Sequence, residues 1–401
     1  LPNFYASILS LAALWALARR LYRDRGAATL AMLTLALSPL DIAFAGSVFT
    51  DPQATLWLLL ASLAVTSQRW TWGGILAGLA FATKQSIVPF FPLVILLGFI
   101  ADPQRSRAGL SRFAGALLVA GIAPFLWGAM RVPASPDWWA LGLANNAPRR
   151  LIRADEVGPR LAAWLGYLSE GLGGPVLLII LAGAGIPWLL LTIRRQPRRQ
   201  GTTADITLTA YTTGYLGVYW LVAFNIYSRY LHSLNPLVAL LAARALIGPA
   251  RTLLPRWHTA ATLFVAGIVL LAMGPPALQA RAGKHLLNSG RDRYQGIAEV
   301  AAYLNGLPPG TIVYDHWLGW SLGWYTGQRR PPGMWLRLTY YPTPETLVAD
   351  ALRQPDPAPR YLVVPGWVWA GPWLHALAEA GFQPHAVAQP GEFTIYRMVP
   401  P

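Results

Sequence analysis

Long apolar runs, broken by short polar segments rich in arginine, dominate the first two thirds of the chain. A helix needs about 20 mostly apolar residues to cross the hydrocarbon core of a bilayer. That window predicts ten spans, at residues 4–20, 27–48, 52–67, 71–84, 86–101, 110–129, 172–193, 205–224, 233–248 and 258–275. The fourth is short. Lys84-Gln85-Ser86, with Pro89 and Pro92 beyond it, divides the 71–101 run into two helices meeting at a turn, because a proline inside a helix removes a donor and clashes with the turn before it. Residues 130–171 do not span; Trp138, Trp139, Trp164 and Tyr167 among scattered charges predict an external loop with short interfacial helices. After residue 275 the pattern changes. Thr311-Ile-Val-Tyr314 and Tyr361-Leu-Val-Val364 read as buried strands, alternating with helical patterns near 292–305, 344–353 and 372–381. The expected architecture is therefore an all-α polytopic membrane domain over residues 1–275, followed by a small external α/β domain over 276–401.

Composition supports the membrane reading: 54% of the 401 residues are hydrophobic and only 12% charged, against about 25% charged in an average soluble domain. The absence of cysteine excludes disulfides, thiolate catalysis and Cys-ligated zinc. The net charge of +15 raises the question of nucleic acid, and its placement answers it. Alternate loops hold fifteen arginines, from Arg19 to Arg256, against three acids (Asp24, Asp102 and Asp205), while the opposite side of residues 1–275 holds seven positives and six acids. The positive-inside rule puts the arginine loops in the cytoplasm, so both Leu1 and the tail are expected outside the plasma membrane. Topology accounts for the charge, and nucleic acid is not an expected partner.

Ionisable residues at or near spans are functional candidates because burying them is costly. Asp41 and Asp51 flank the turn between the second and third spans; Lys84 ends the short fourth; Arg229, Tyr230 and His232 lie beyond the eighth. Helix counting brings all of them to the outer face, where two acids and two isolated cations are able to hold a phosphate. Each has a plainer reading: Asp51 before Pro52 as a helix cap, Lys84 as a snorkelling side chain, Arg229-Tyr230 as an interfacial anchor, His232 as a polar interface residue, and Asp41 as a turn residue. In the tail, Asp315-His316 with Trp317, Trp320, Trp324 and Tyr325 is either a carbohydrate-binding surface or a packed aromatic core.

Four stretches, in order, carry a family resemblance: ArgArgLeuTyrArgAspArgGlyAla after the first span, LeuSerPro and then PheThrAspPro at the next outer turn, GlyLeuAlaPheAlaThrLys closing the fourth span, and SerArgTyrLeuHisSerLeuAsnPro near the eighth. Together they resemble the GT-C membrane glycosyltransferases, in the branch of the protein O-mannosyltransferases and the lipid A aminoarabinose transferase. The resemblance implies an inverting transferase that moves a sugar from a polyprenyl-phosphate donor to a lipid, glycan or protein acceptor at the outer membrane face. It implies that Asp51 is the second acid, arranging the site or a metal, and that Lys84, Arg229 and Tyr230 lie near the lipid phosphate; Asp41 and His232 stay possible members. The family's leading acid, in its first external loop, is expected upstream of Leu1, and without it the 401 residues are expected to bind donor but transfer poorly. A divalent cation is possible; no nucleotide or redox cofactor is expected, there being no Walker-type glycine run. Two other classes remain: a catalytically inactive scaffold or subunit of a larger membrane complex, and a transporter or lipid flippase, for which polar residues near mid-bilayer and related halves are expected.

Overall fold

The computed structural model describes residues 2–47, 49–131, 150–196, 199–222, 226–285, 294–316, 318–327, 336–354 and 359–400. The chain divides into two compact units, Leu1–Asn288 and Ser289–Pro401.

The first unit is helical. Helix α1 (Pro2–Tyr22) ends on Arg19 and Arg20. Asp24 then caps α2 (Arg25–Ala36), its carboxylate accepting from Ala27 N. Ser38 caps the short α3 (Pro39–Ala45), which leaves α2 at 59°. Helices α4 (Asp51–Thr66) and α5 (Trp70–Thr83) follow. The expected break in the 71–101 run is present: Lys84 is extended (φ −159°, ψ 122°), a 3-10 turn covers Gln85–Phe90, and α6 (Phe91–Ala101) restarts beyond it. Glycine lets α5 lie close on α7 (Pro103–Arg131): a Cβ at Gly74 would stand 2.3 Å from the Phe113 carbonyl, and one at Gly78 2.4 Å from Ala120 Cβ. Small residues at this spacing permit the near approach of helices in a membrane. Then come α8 (Val157–Gly171), α9 (Pro175–Arg195, with a π-helical turn at Leu181–Gly185), α10 (Gln200–Leu221), the single-turn α11 (Arg229–His232), α12 (Asn235–Leu253) and α13 (His258–Arg281).

Every expected window holds a helix, but the count of ten spans is corrected. Four helices among the described residues are long and apolar enough to cross a membrane, namely α1, α9, α12 and α13, or five if the bent pair α2–α3 counts as one. At a rise of about 1.5 Å per residue, the 16 residues of α4, 14 of α5 and 11 of α6 fall short of a core about 30 Å thick. Threonines with Asp205 dilute α10. The chain is a multi-pass membrane protein with several sub-span helices. Its large exposed apolar side chains, such as Phe4, Ile8 and Leu9 on α1 and Leu263, Phe264 and Leu271 on α13, suit a hydrocarbon solvent.

Of the expected surface loop, Asp137, Trp138 and Trp139 lie outside the described residues. Trp164 is corrected: it is buried, edge-on to Tyr219 at 5.7 Å, because α8 packs on α10.

The second unit is a mixed five-stranded sheet in the order β2-β1-β3-β5-β4. Strand β1 (Ile312–Asp315) runs parallel to β2 (Arg337–Tyr340) and β3 (Arg360–Pro365); β5 (Phe393–Val399) pairs antiparallel with both β3 and β4 (Gln383–Ala388). Alternation along β1 and β3 feeds two cores. Val313, Tyr361 and Val363 face α14 (Ile297–Asn305) and α15 (Gly319–Gly327); Ile312, Tyr314, Leu362 and Val364 face α16 (Pro344–Arg353) and α17 (Gly371–Glu379). The two expected strands and three expected helices are all present. Asp315 and His316 are buried, and His316 meets Trp373 edge-on at 4.4 Å. Trp324 is 66% exposed, while Trp317 and the Trp320 side chain lie outside the described residues.

Candidate functional site

The sequence-predicted residues gather at one end of the helical unit, where α1, α4 and α12 begin and α5 ends. Asn3 on the first turn of α1 donates to the carbonyls of Ser47 and Phe49, both at 2.7 Å, and accepts from Gln53 Nε2 at 3.0 Å. That clamp holds the turn before α4, and with it Asp51. Asp51 is not the cap of α4; Thr50 occupies that position, and the buried Asp51 carboxylate forms an ion pair with Lys84 Nζ. Lys84 reaches it because the chain is extended at the α5 corner, so its side chain turns inward instead of snorkelling.

Arg229 opens α11, with its guanidinium carbon 5.0 Å from the Tyr227 ring centre and 5.5 Å from that of Tyr230. Arg229 acts electrostatically on Lys84, and Asp51 on Tyr230, which makes these four residues one charged group. Tyr230 is buried; its carbonyl accepts from Tyr215 OH at 3.0 Å and its ring lies 5.3 Å from Tyr219. Tyr211, Tyr215 and Tyr219 follow one face of α10 at the i, i+4, i+8 spacing.

Asp41 and His232 form a second group. His232 Nε2 lies 3.4 Å from Asp41 Oδ1, and Asn235 Nδ2 donates to the other carboxylate oxygen and to Ser38 Oγ at 2.8 Å. The remaining imidazole nitrogen, Nδ1, lies 3.0 Å from Thr55 Oγ1, which also contacts Ser233 Oγ at 3.0 Å. Thr55 stands one helical turn after Asp51 on α4, and this link joins the two groups through the helix backbone. Asp41 is thus more than a turn residue, and His232 is a bonded core residue.

Sequence reasoning missed Asn3, Thr55 and Asn235. Asn3 was legible as an amide in the first turn of an apolar helix, and Thr55 by its position four residues from Asp51; nothing in the sequence pairs Asn235 with Asp41. No cluster of three His, Asp or Glu side chains able to hold a metal occurs among the described residues. Asp51 is already committed to Lys84, and Asp41 with His232 offers two ligands.

Residues 1–127 match the family model described as dolichyl-phosphate-mannose-protein mannosyltransferase. Three of the four motif stretches fall inside that match. Among curated proteins, the chain is 28% identical over 199 residues to the undecaprenyl phosphate-alpha-4-amino-4-deoxy-L-arabinose arabinosyl transferase of Pseudomonas paraeruginosa, an overlap of 47% of this chain and 34% of that protein. It is 27% identical over 223 residues to the protein of the same name in Pseudomonas aeruginosa, covering 52% and 38%. A third such transferase, from Pseudomonas fluorescens, is 26% identical over 217 residues, covering 50% and 37%. The chain thus spans little more than a third of the length of these relatives. The resemblance to GT-C membrane glycosyltransferases read from the motifs holds in these comparisons.

Proposed function

We propose that this chain is the membrane part of a glycosyltransferase that moves a sugar from a polyprenyl-phosphate donor to an acceptor at the outer face of the plasma membrane, with the α/β unit on that external side. The observation that carries the reading is the buried Asp51–Lys84 ion pair with Arg229 and Tyr230 around it, at one end of the helices. Transfer breaks the bond between the anomeric carbon and a phosphate oxygen, and the phosphate leaves with the electron pair. Charge therefore grows on that oxygen. A cation fixed in a partly dry cleft stabilises it far better than one in water. Lys84, oriented by Asp51, and Arg229, held against two tyrosine rings, are the cations for that phosphate. Asp51 keeps Lys84 charged and aimed until donor arrives. The acceptor hydroxyl forms the new bond and gives up its proton to a carboxylate, as general base catalysis requires; Asp41, braced by His232 and Asn235, is a carboxylate at this end.

The test is donor binding and transfer measured separately on the purified chain in lipid nanodiscs, with an undecaprenyl-phosphate aminopentose as probe. Replacing Lys84 or Arg229 with Gln should each weaken donor binding about tenfold or more, since a hydrogen bond to a charged group is worth roughly 1.5–3 kcal/mol. Unchanged binding in both variants would overturn the assignment. Transfer that survives Asp41→Asn would remove Asp41 as the base.

A further inference from the structure

The opposite end of the same helices holds a cavity of about 790 Å³. Among the described residues, seven arginines line it, against a single carboxylate, Asp24. They come from three separated segments: the end of α1 with the turn after it, the end of α9 with the turn into α10, and the second half of α12. Only two of the seven are paired with carboxylates among the described residues. Arg251 binds Asp24 with both terminal nitrogens, and Arg244 Nη2 lies 3.1 Å from Asp205 Oδ2. Arg244 is further held between the Tyr22 ring, at 4.7 Å, and the Trp188 ring, at 5.5 Å. Arg251 Nε is buried with no hydrogen-bond partner. Arg19, Arg23, Arg25, Arg195 and Arg199 therefore surround the space as surplus positive charge.

The cavity's place in the fold narrows its occupant. Three of the four helices able to cross a membrane, α1, α9 and α12, end at it, and His258, the first residue of the fourth, lines it too. Four spans leaving the hydrocarbon at one level set the cavity at the interface, the depth of lipid headgroups. The proposed sugar-transfer site is elsewhere: Arg20 on the last turns of α1 donates to the carbonyl of Thr66, the last residue of α4, whereas Asp51 is the first. Those ends are separated by the length of a 16-residue helix, about 24 Å.

We propose that this cavity binds a phosphate-bearing anion, with the phosphodiester of an anionic membrane lipid as the expected source and soluble phosphate as the other. Arginine forks match phosphate oxygens in pairs, and basic pockets between spanning helices suit anionic headgroups. The volume is that of a ligand pocket and exceeds what one inorganic phosphate needs. The inference is independent of sugar transfer.

The experiment is a titration of the full chain in dodecyl maltoside with dioctanoyl phosphatidylglycerol, dioctanoyl phosphatidylcholine and inorganic phosphate, read by native mass spectrometry and thermal unfolding. Phosphatidylglycerol should bind and raise the unfolding temperature, with phosphatidylcholine at least about tenfold weaker. If inorganic phosphate binds as tightly and displaces the lipid, the site stands and its occupant is the soluble anion. The exposed pair Arg195→Gln/Arg199→Gln should weaken binding at least about tenfold, and Arg23→Gln should weaken it as a second, independent variant. The exposed pair Arg107→Gln/Arg112→Gln, equal in charge loss but outside the cavity, should leave it within about twofold. No binding of either anion, or equal losses in the two double variants, would overturn the proposal.

Discussion

The two ends of the helical unit handle charge in opposite ways. At the Asp51 end two carboxylates have dedicated basic partners: Asp51 meets Lys84, and Asp41 meets His232 with an amide from Asn235. At the Arg251 end the acids are also paired, Asp24 with Arg251 and Asp205 with Arg244, but five further arginines face the same cavity with no carboxylate partner among the described residues. The Asp51 pair, with side chains 18% and 3% exposed, is more deeply buried than Arg251–Asp24 at 25% and 15%, while Arg244–Asp205 at 15% and 1% matches it, so the excess of arginine is what sets the Arg251 end apart. A buried, balanced pair is a positioning device, since neither partner can be removed without stranding the other. A half-exposed arginine excess is a binding surface for an anion from outside. The difference teaches that in this chain total charge says little about chemistry; charge balance separates an arranged site from a receptive one.

The comparison breaks altogether if the two ends lie on the same side of the membrane. Because the chain has no cysteine, single introduced ones report cleanly. In intact cells, a cysteine at the exposed Leu151, whose strand bridge to Val222 ties it to the end of α10, should react fully with an impermeant maleimide. One at Gln200, the first residue of α10, should react only after the membrane is permeabilised. Equal labelling of both would sink the two-ended reading.

A smaller effect tests the burial contrast. Lys84→Ala leaves the Asp51 carboxylate buried and unpaired, and should cost about 3–5 kcal/mol of unfolding free energy in detergent. The double variant with Asp51→Asn should recover most of that. Arg251→Ala should cost only about 1 kcal/mol, because its partner stays in reach of water and of neighbouring arginines. Similar losses for Lys84→Ala and Arg251→Ala would show that the two ends are not different in kind.

The smallest effect comes from the α/β unit, where burial acts without an ion pair. Burial pushes the Asp315 carboxyl up to about 6 and the His316 imidazole down to about 4. Asp315 thus favours the folded state below its ordinary value of 3.8, and that contribution is lost as pH rises through 6. His316 has the opposite sign: its contribution is present above 6.5 and lost as pH falls through 4. The two slopes oppose each other, so amide-exchange stability of β1 in the intact chain should be nearly flat between these limits. His316→Gln should make it fall with rising pH, and Asp315→Asn, which keeps the oxygen that accepts from Leu318 N at 2.7 Å, should make it fall with falling pH. A strong slope in the unaltered chain, with no change in either variant, would remove both groups from the pH response.

Local pattern carried much of this. Proline and a polar triplet placed the break at Lys84, because a helix cannot continue through them; buried β-branched runs placed β1 and β3. The edge strands β2 and β4 were not legible, since Arg337-Leu-Thr-Tyr340 and Gln383-Pro384-His385 carry no apolar run and owe their state to the strand beside them. The span count failed because hydropathy windows join apolar residues across caps and turns. Leu37-Ser38 bends one window by 59°, and α4 to α6 are each too short to cross.

The sequence by itself determined that this is a multi-pass helical membrane protein with an α/β tail, that its arginines segregate from its few acids, and that Asp41, Asp51, Lys84, Arg229, Tyr230 and His232 lie at or near the ends of apolar runs. Those are properties of composition and spacing, which survive without coordinates. Only the tertiary structure decided that Lys84 turns inward to Asp51, that Asp41, His232, Thr55 and Asn235 form a bonded group, and that seven arginines from three segments share one cavity. Side-chain pairings between helices more than 150 residues apart, such as Thr55 with His232, leave no periodic trace in the chain. They depend on how the helices pack, and packing is settled by contacts summed over the whole unit.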